Sequence, residues 1–351
     1  MDAIRTENAI SSRCAAAPRR IGRRGWQGWL RRLTASFAAG LALIGVAAAQ
    51  EYPARQIVVT GPFPAGGSTD IRARLLSEPR RQVLGQPVVG QTVPGAGSTI
   101  GTGKAIQSPP DGYTLIVGNW TSHAGAGAVY PVKWHPVTDL EPIAILATTT
   151  LIIAGRPGLP VNDGKELLAW LKSNPDTATS GIVGFGSGAH ICSIYFEQKT
   201  GTRTRYVPYS GGAPVMTALM GNQVDLFCGE ASQMLGHFTA GRIKPLVVMS
   251  RSRWRPLPDV PTAEEIGATD TYIAFWQGMW APKGTPRPIV TKLADAVAKS
   301  LADPAVIKRL SELGQEIPMR EQMTPEALAA YHKAEIDKWW PLIKGANIKV
   351  E

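Results

Sequence analysis

Long apolar runs are missing from this chain. The best, Leu33 to Val46, is too short to cross a bilayer, so no membrane-spanning helix is expected. Cysteine is equally scarce, with only Cys14, Cys192 and Cys228. Neither these nor the five histidines, His123, His135, His190, His237 and His332, show metal-ligand spacing. Gly184-x-Gly186-x-x-Ala189 matches a dinucleotide fingerprint, but the acidic residue required about twenty positions on is missing, and Thr204-Arg205-Tyr206 stand there instead. Gly97 to Lys104 resembles a P-loop with the wrong spacing, and Ala105 replaces its Ser or Thr. Ser187 lacks the Gly-x-Ser-x-Gly elbow of a hydrolase nucleophile. No cofactor and no metal are therefore expected, and no nucleophile–base pair or metal set marks an enzyme.

Acidic charge is also in deficit, at 27 Asp and Glu against 37 Lys and Arg. The imbalance is concentrated at the N-terminus. Residues 1–49 hold eight Arg against Asp2 and Glu7, so the remainder carries only +4 of the +10 total. Nucleic-acid binding loses its main support, while a mildly basic surface still favours anionic solutes. Arg19, Arg20, Arg23, Arg24, Arg31 and Arg32 precede the apolar stretch, and Ala47-Ala48-Ala49 follows it. This is the pattern of a secretory signal peptide over 1–49, cleaved near Ala49. Arg31-Arg32 leaves the twin-arginine route open beside the general one, and no Cys follows to carry a lipid. In an exported chain Cys192 and Cys228 either pair or lie as two small buried thiols.

About 300 residues remain after the leader, more than one core usually holds, so two lobes are expected. Strand-like runs alternate with helical patterns, as in α/β layers. Ile143 to Ile153 and Ile273 to Trp280 are long enough to pass between lobes. They divide the chain into 50–150 plus 274–351 as one lobe and 151–273 as the other. Asp163 and Glu166 predict a helix start, and Thr324-Pro325-Glu326 predicts a C-terminal helix burying Leu328, Tyr331, Ile336 and Trp339.

The richest stretch is Gly61-Pro62-Phe63-Pro64-Ala65-Gly66-Gly67-Ser68-Thr69-Asp70, after the strand Ile57-Val58-Val59-Thr60. Glycines without Cβ let a ligand approach the backbone. Ser68, Thr69 and Asp70 are N-cap residue types, and Ile71, Leu75 and Leu76 follow at helical spacing. A helix start of this kind suits a carboxylate or phosphate. Val207-Pro208-Tyr209-Ser210-Gly211-Gly212 repeats the pattern of an aromatic followed by Gly-Gly before a helix. If each lobe supplies one loop, two helix starts face each other across a cleft, a favoured ligand site.

In this setting the chain resembles the Bug family, the periplasmic solute receptors of tripartite tricarboxylate transporters. The resemblance spans Tyr52-Pro53 to the C-terminal helices. It rests on Pro62 to Gly67 with Asp70, Leu84-Gly85-Gln86-Pro87-Val88-Val89, Pro94-Gly95-Ala96-Gly97 and Pro110-Asp111-Gly112-Tyr113-Thr114-Leu115. Gly186-Ser187-Gly188 with His190, Val207-Pro208-Tyr209, Val224-Asp225-Leu226, Leu257 to Thr262 and Ala281 to Pro286 continue it in order. It implies a two-lobed, type II-like Venus-flytrap periplasmic-binding-protein fold of α/β class, hinged on two crossing strands. It also implies a monomer that captures a small carboxylate and delivers it to inner-membrane permease subunits. The ligand would meet Phe63, Ala65, Gly66, Gly67, Ser68, Thr69 and Asp70 from one lobe and Tyr209, Ser210, Gly211 and Gly212 from the other. Asn119, Thr121, His123, Ser187, Gly188, His190 and Glu230 would line the same cleft. Ser210 stands where the family usually has Lys, and Gly229 with Glu230 where Asp often follows the strand. Gln91 interrupts an acidic run, and Pro79 should kink or end the first helix. With few fixed cations, the expected ligand is a mono- or dicarboxylate, with Phe63, Trp120 and Tyr209 either near it or in the lobe cores. The alternatives are a solute sensor for a signalling partner, or an exported enzyme on a carboxylate with His190 or Glu230 as base.

Overall fold

Ile57-Val58-Val59-Thr60, β-branched throughout, suits a strand packed on both faces. The computed structural model of the protein describes residues 51–346 and Ile348, so the leader reading lies outside the described residues. The run forms β1 (Ile57–Gly61), and Pro62 ends it. Then follow α1 (Ser68–Leu75), α2 (Ser77–Leu84), β2 (Val88–Thr92), α3 (Thr99–Ile106), β3 (Thr114–Asn119) and, after a wide π turn, α4 (Ala126–Val129). Pro79 sits at the third position of α2, where its missing N–H has no intrahelical acceptor to lose, and the expected single helix divides at Leu76.

The apolar run from Ile143 changes sheets in its middle. β4 (Leu140–Thr149) belongs to one sheet and β5 (Leu151–Gly155) to the other, with Thr150 alone between them. Next come α5 (Gly164–Ser173), β6 (Thr179–Ile182), α6 (Gly188–Thr200), β7 (Arg205–Pro208), α7 (Gly212–Met220), β8 (Leu226–Glu230), α8 (Ala231–Thr239) and β9 (Lys244–Val248). The chain returns to the first sheet through β10 (Phe275–Pro282), all eight of whose residues are buried. α9 (Arg287–Leu301), α10 (Pro304–Glu312) and α11 (Pro325–Gly345) follow.

The first sheet runs β2-β1-β3-β10-β4 and the second β7-β6-β8-β5-β9. Both are mixed: β1 is parallel to β2 and β3, and β6 to β7 and β8, whereas β10 and β5 run antiparallel to their neighbours. α11 begins as its sequence signals, with the Thr324 hydroxyl accepting from the Ala327 N–H. Leu328, Ile336 and Trp339 are buried, and Trp339 meets Trp120 edge to face. Trp120 thus packs in the core. Glu335 is buried with them, its carboxylate accepting from the indole N–H groups of Trp276 and Trp339.

Asp225, part of the Val224-Asp225-Leu226 motif, braces the second sheet. Its carboxylate accepts from Arg156 Nε at 2.7 Å and from the Thr179 N–H and hydroxyl at 2.8 and 2.7 Å. Cys192 on α6 and Cys228 on β8 form a disulfide with Cα atoms 6.2 Å apart. It closes a loop with a sequence separation of 36. Chain-entropy arguments give such a link about 2–4 kcal/mol of stability. Urea unfolding with and without dithiothreitol should show a loss of about that size in the native protein. The double variant Cys192→Ala/Cys228→Ala should be insensitive to reductant. Equal stability with and without reductant would show that the bond does not hold the lobe together.

Candidate functional site

Two helix starts are left without a side-chain cap. Gly67 precedes α1 and Gly211 precedes α7, and neither helix has a side chain bonded to its first-turn N–H groups. Such groups have no intrahelical acceptor, and the helix end is electropositive. By contrast, the start of α6 is occupied: Ser187 Oγ accepts from the His190 N–H, and Gly188 N–H donates to Thr121 Oγ1 at 3.0 Å. That second bond links the two sheets' loops directly.

Between these elements lies a small cavity of about 40 Å³. Phe63, Gly67, Ser68, Thr69, Asn119 and Thr121 line it from one side, and Gly212, Glu230, Gln233 and Phe227 from the other. Leu151 and Phe275, beside the two crossings, form its floor. A larger open groove of about 630 Å³ lies behind the crossings, against Thr148–Thr150 and Ile273–Ala274. Its arginines are engaged, Arg251 with Tyr272, Arg253 with Glu265 and Arg255 with Ser311, whereas both uncapped helix starts reach the smaller cavity.

Of the residues expected from sequence, Phe63, Gly67, Ser68, Thr69, Asn119, Thr121, Gly212 and Glu230 meet on this cavity. Others serve as supports or lie beside it. Asp70 accepts from the Gly66 N–H at 2.9 Å and pairs with Arg74, so it braces the loop and consumes one donor of the supposed cradle. Ala65, Gly66 and Ser210 are exposed, and Tyr209 is half-buried. His123 lies in the core, stacked 3.8 Å from Trp280 with Nδ1 against Ser122 Oγ. Burial and nearby His332 hold its imidazole well below the usual range. His190 accepts from the Gly186 N–H on Nδ1, which places its proton on Nε2, and burial lowers it to about 4. A base needs a free lone pair, and that of His190 is already used. Ser187 and Gly188 act through the helix start described above. Gly211 approaches the opposite loop, where an added Cβ would come within 2.5 Å of Pro64 Cδ.

The polar centre of the cavity is Glu230. Ser68 Oγ donates to its carboxylate, and Gln277 Nε2 lies 3.2 Å from Oε2. Burial raises the Glu230 carboxyl above its usual range, against the pull of Arg72 and the Ser68 bond. Arg72 itself is 1% exposed, and burial lowers its guanidinium to about 10 despite Glu230. The helical spacing expects Ile71 inside; instead Ile71 is 40% exposed and Arg72 is buried. Sequence reading missed Arg72, Gln233 and Gln277. Gln277 alone carried a signal, as a polar residue inside the apolar run Ile273 to Trp280.

The model of the tripartite tricarboxylate transporter family receptor matches residues 72–348. The chain belongs to that family. It is 36% identical to the periplasmic binding protein BugD, over 86% of this chain and all of that one, with a TM-score of 0.81. MatC from Rhodopseudomonas palustris, solved with malate, is 34% identical over 83% of this chain and all of MatC, with a TM-score of 0.80. A second R. palustris protein, solved with adipate, is 31% identical over 85% of this chain and 99% of its own, also at 0.80. This receptor therefore has the two-lobed solute-binding fold of those structures. No helix among the described residues is long and apolar enough to cross a membrane.

The approach of Pro64 to Gly211 makes a test of closure. Small-angle scattering should show Gly211→Val more expanded than the native receptor, because its side chain occupies the space Pro64 needs. Gly67→Ala, whose Cβ meets nothing nearer than 3.5 Å, should scatter like the native protein. Identical profiles for Gly211→Val and the native receptor would remove the Pro64 contact from closure.

Proposed function

We propose that this receptor works in the periplasm, capturing a small carboxylate between its lobes and delivering it to inner-membrane permease subunits. The observation that carries the reading is the pair of uncapped helix starts on one cavity, in a chain similar to two solved proteins that hold malate and adipate. The moving bodies are residues 50–150 with 274–351, and residues 151–273. The receptor acts as a monomer after removal of residues 1–49, and it is not an enzyme. His190 and Glu230, the only candidate bases the sequence offered, both have their acceptor atoms engaged in internal bonds.

Ligand contact falls to the first turn of α1 with Thr69, Asn119 and Thr121, and to Gly212 at the start of α7. Neutral N–H and hydroxyl donors hold a carboxylate by charge-assisted bonds of about 1.5–3 kcal/mol each, so three or four offset its desolvation. Room for only about 40 Å³ is too little for a four-carbon acid, so entry requires hinge opening at the crossings. The ligand then stabilises the closed state by its higher affinity for it, and the permease reads that state.

Thermal-shift screening of carboxylates against their amides tests the anchor. A true ligand at about 100 times its Kd adds about 2.7 kcal/mol of stability, which appears as a raised Tm. The acid should stabilise and its amide should not. An amide that stabilises as well as its acid would overturn the carboxylate anchor.

A further inference from the structure

Among the described residues two arginines are buried, and only one is satisfied. Arg80 donates from Nε to the Leu76 carbonyl, from one terminal nitrogen to the Ala73 carbonyl, and from the other to Met279 Sδ. Arg72 makes a single bond, from Nε to Gln315 Oε1 at 3.2 Å. Both of its terminal nitrogens are buried without a partner. The nearby carboxylate of Glu230 spends its bonds on Ser68 and Gln277 instead.

The guanidinium lines a second, small cavity of about 20 Å³, with Ser68, Ser232, Gln233 and Gln315 around it. Ser232 Oγ is likewise buried and unpartnered. Ser232 and Gln233 lie in the first turn of α8, whose N-cap Glu230 gives no side-chain bond to the helix. Their N–H groups have no intrahelical acceptor and add positive potential there. Ser68 and Gln233 also line the larger cavity, so the two spaces adjoin at these side chains.

We infer that Arg72, with Ser232 and the start of α8, forms a second anion subsite that takes the far carboxylate of a dicarboxylate solute. The inference rests on the carboxylate-receptor reading and narrows it. A planar guanidinium with two free –NH₂ groups matches a carboxylate in bidentate geometry, and burial makes leaving them unpaired costly. A space of about 20 Å³ takes at most the end group of a solute, whose body enters the adjoining cavity once the hinge has opened to widen it. The positive charge of Arg72 then serves two carboxylates, Glu230 and that of the solute. A monocarboxylate would leave the guanidinium as it is now.

Isothermal titration of the processed receptor with succinate, glutarate and adipate, and with the mono-amide of each, tests the subsite. The best-fitting diacid should bind the native receptor about tenfold or more tightly than its mono-amide, the size expected for charge-assisted bonds. Arg72→Met should abolish that preference while mono-amide affinity stays within about threefold. Ser232→Ala should narrow it by about three- to fivefold, and it carries the test alone if circular dichroism shows Arg72→Met unfolded. An undiminished preference in the folded variants would mark the cavity as a water-filled void only. Equal weakening of diacid and mono-amide would mark Arg72 as structural. A native receptor that binds mono-amides as tightly as diacids would overturn the subsite and leave the carboxylate reading standing. Absence of binding by every acid would overturn both.

Discussion

A single residue joins the two sheets. Thr150 lies between the last residue of β4 and the first of β5, so one sheet's edge strand continues almost without interruption into the other sheet's interior. Everything at the cavity follows from that join. Leu151 pairs with Glu230 across β5 and β8, and the Ala231 N–H donates to the Thr150 carbonyl, which fixes Glu230 directly beside the crossing. On the other side, β10 pairs Phe275 with Thr149 and Gln277 with Ala147. The two registers bring Gln277 and Glu230 together at the bottom of the cleft, and the start of α1 adds Ser68.

Polar groups buried at such a join interact strongly, because there is little water to screen them. Most buried or half-buried ionisable groups among the described residues are paired for structural ends. Asp225 ties Arg156 to Thr179, Glu335 receives two indole N–H groups, and Arg80 is spent on backbone carbonyls and a thioether. His123 and His190 are kept neutral by burial and placed against fixed neighbours. Arg72 departs from this pattern, and it does so where the two halves of the fold meet. A charge held there costs desolvation, which the neighbouring Glu230 offsets only in part.

The loops of the cleft were legible because their chemistry is local. Gly67 and Gly211 stand before helices in sequence as they do in space, and Cys192 follows the Ser187 to His190 loop by two residues. Asp70 and His123 show the opposite case. Residue type marked both as possible ligand contacts, but Asp70 faces back into its own loop and His123 packs beneath Trp280. Residue type cannot tell a bond made to a ligand from the same bond made to the chain's own backbone.

The sequence by itself determined the strand–helix alternation, the Gly-Gly loops that precede helices, the apolar run that passes from one sheet to the other, and membership in a carboxylate-receptor family. Each depends on residues near one another in the chain, through backbone preference and apolar periodicity. Only the tertiary structure decided that Arg72 is inside and Ile71 outside, and that Glu230 meets Ser68 and Gln277. Those partners are 162 and 47 residues from Glu230 along the chain, and strand register, not local sequence, closes the distance.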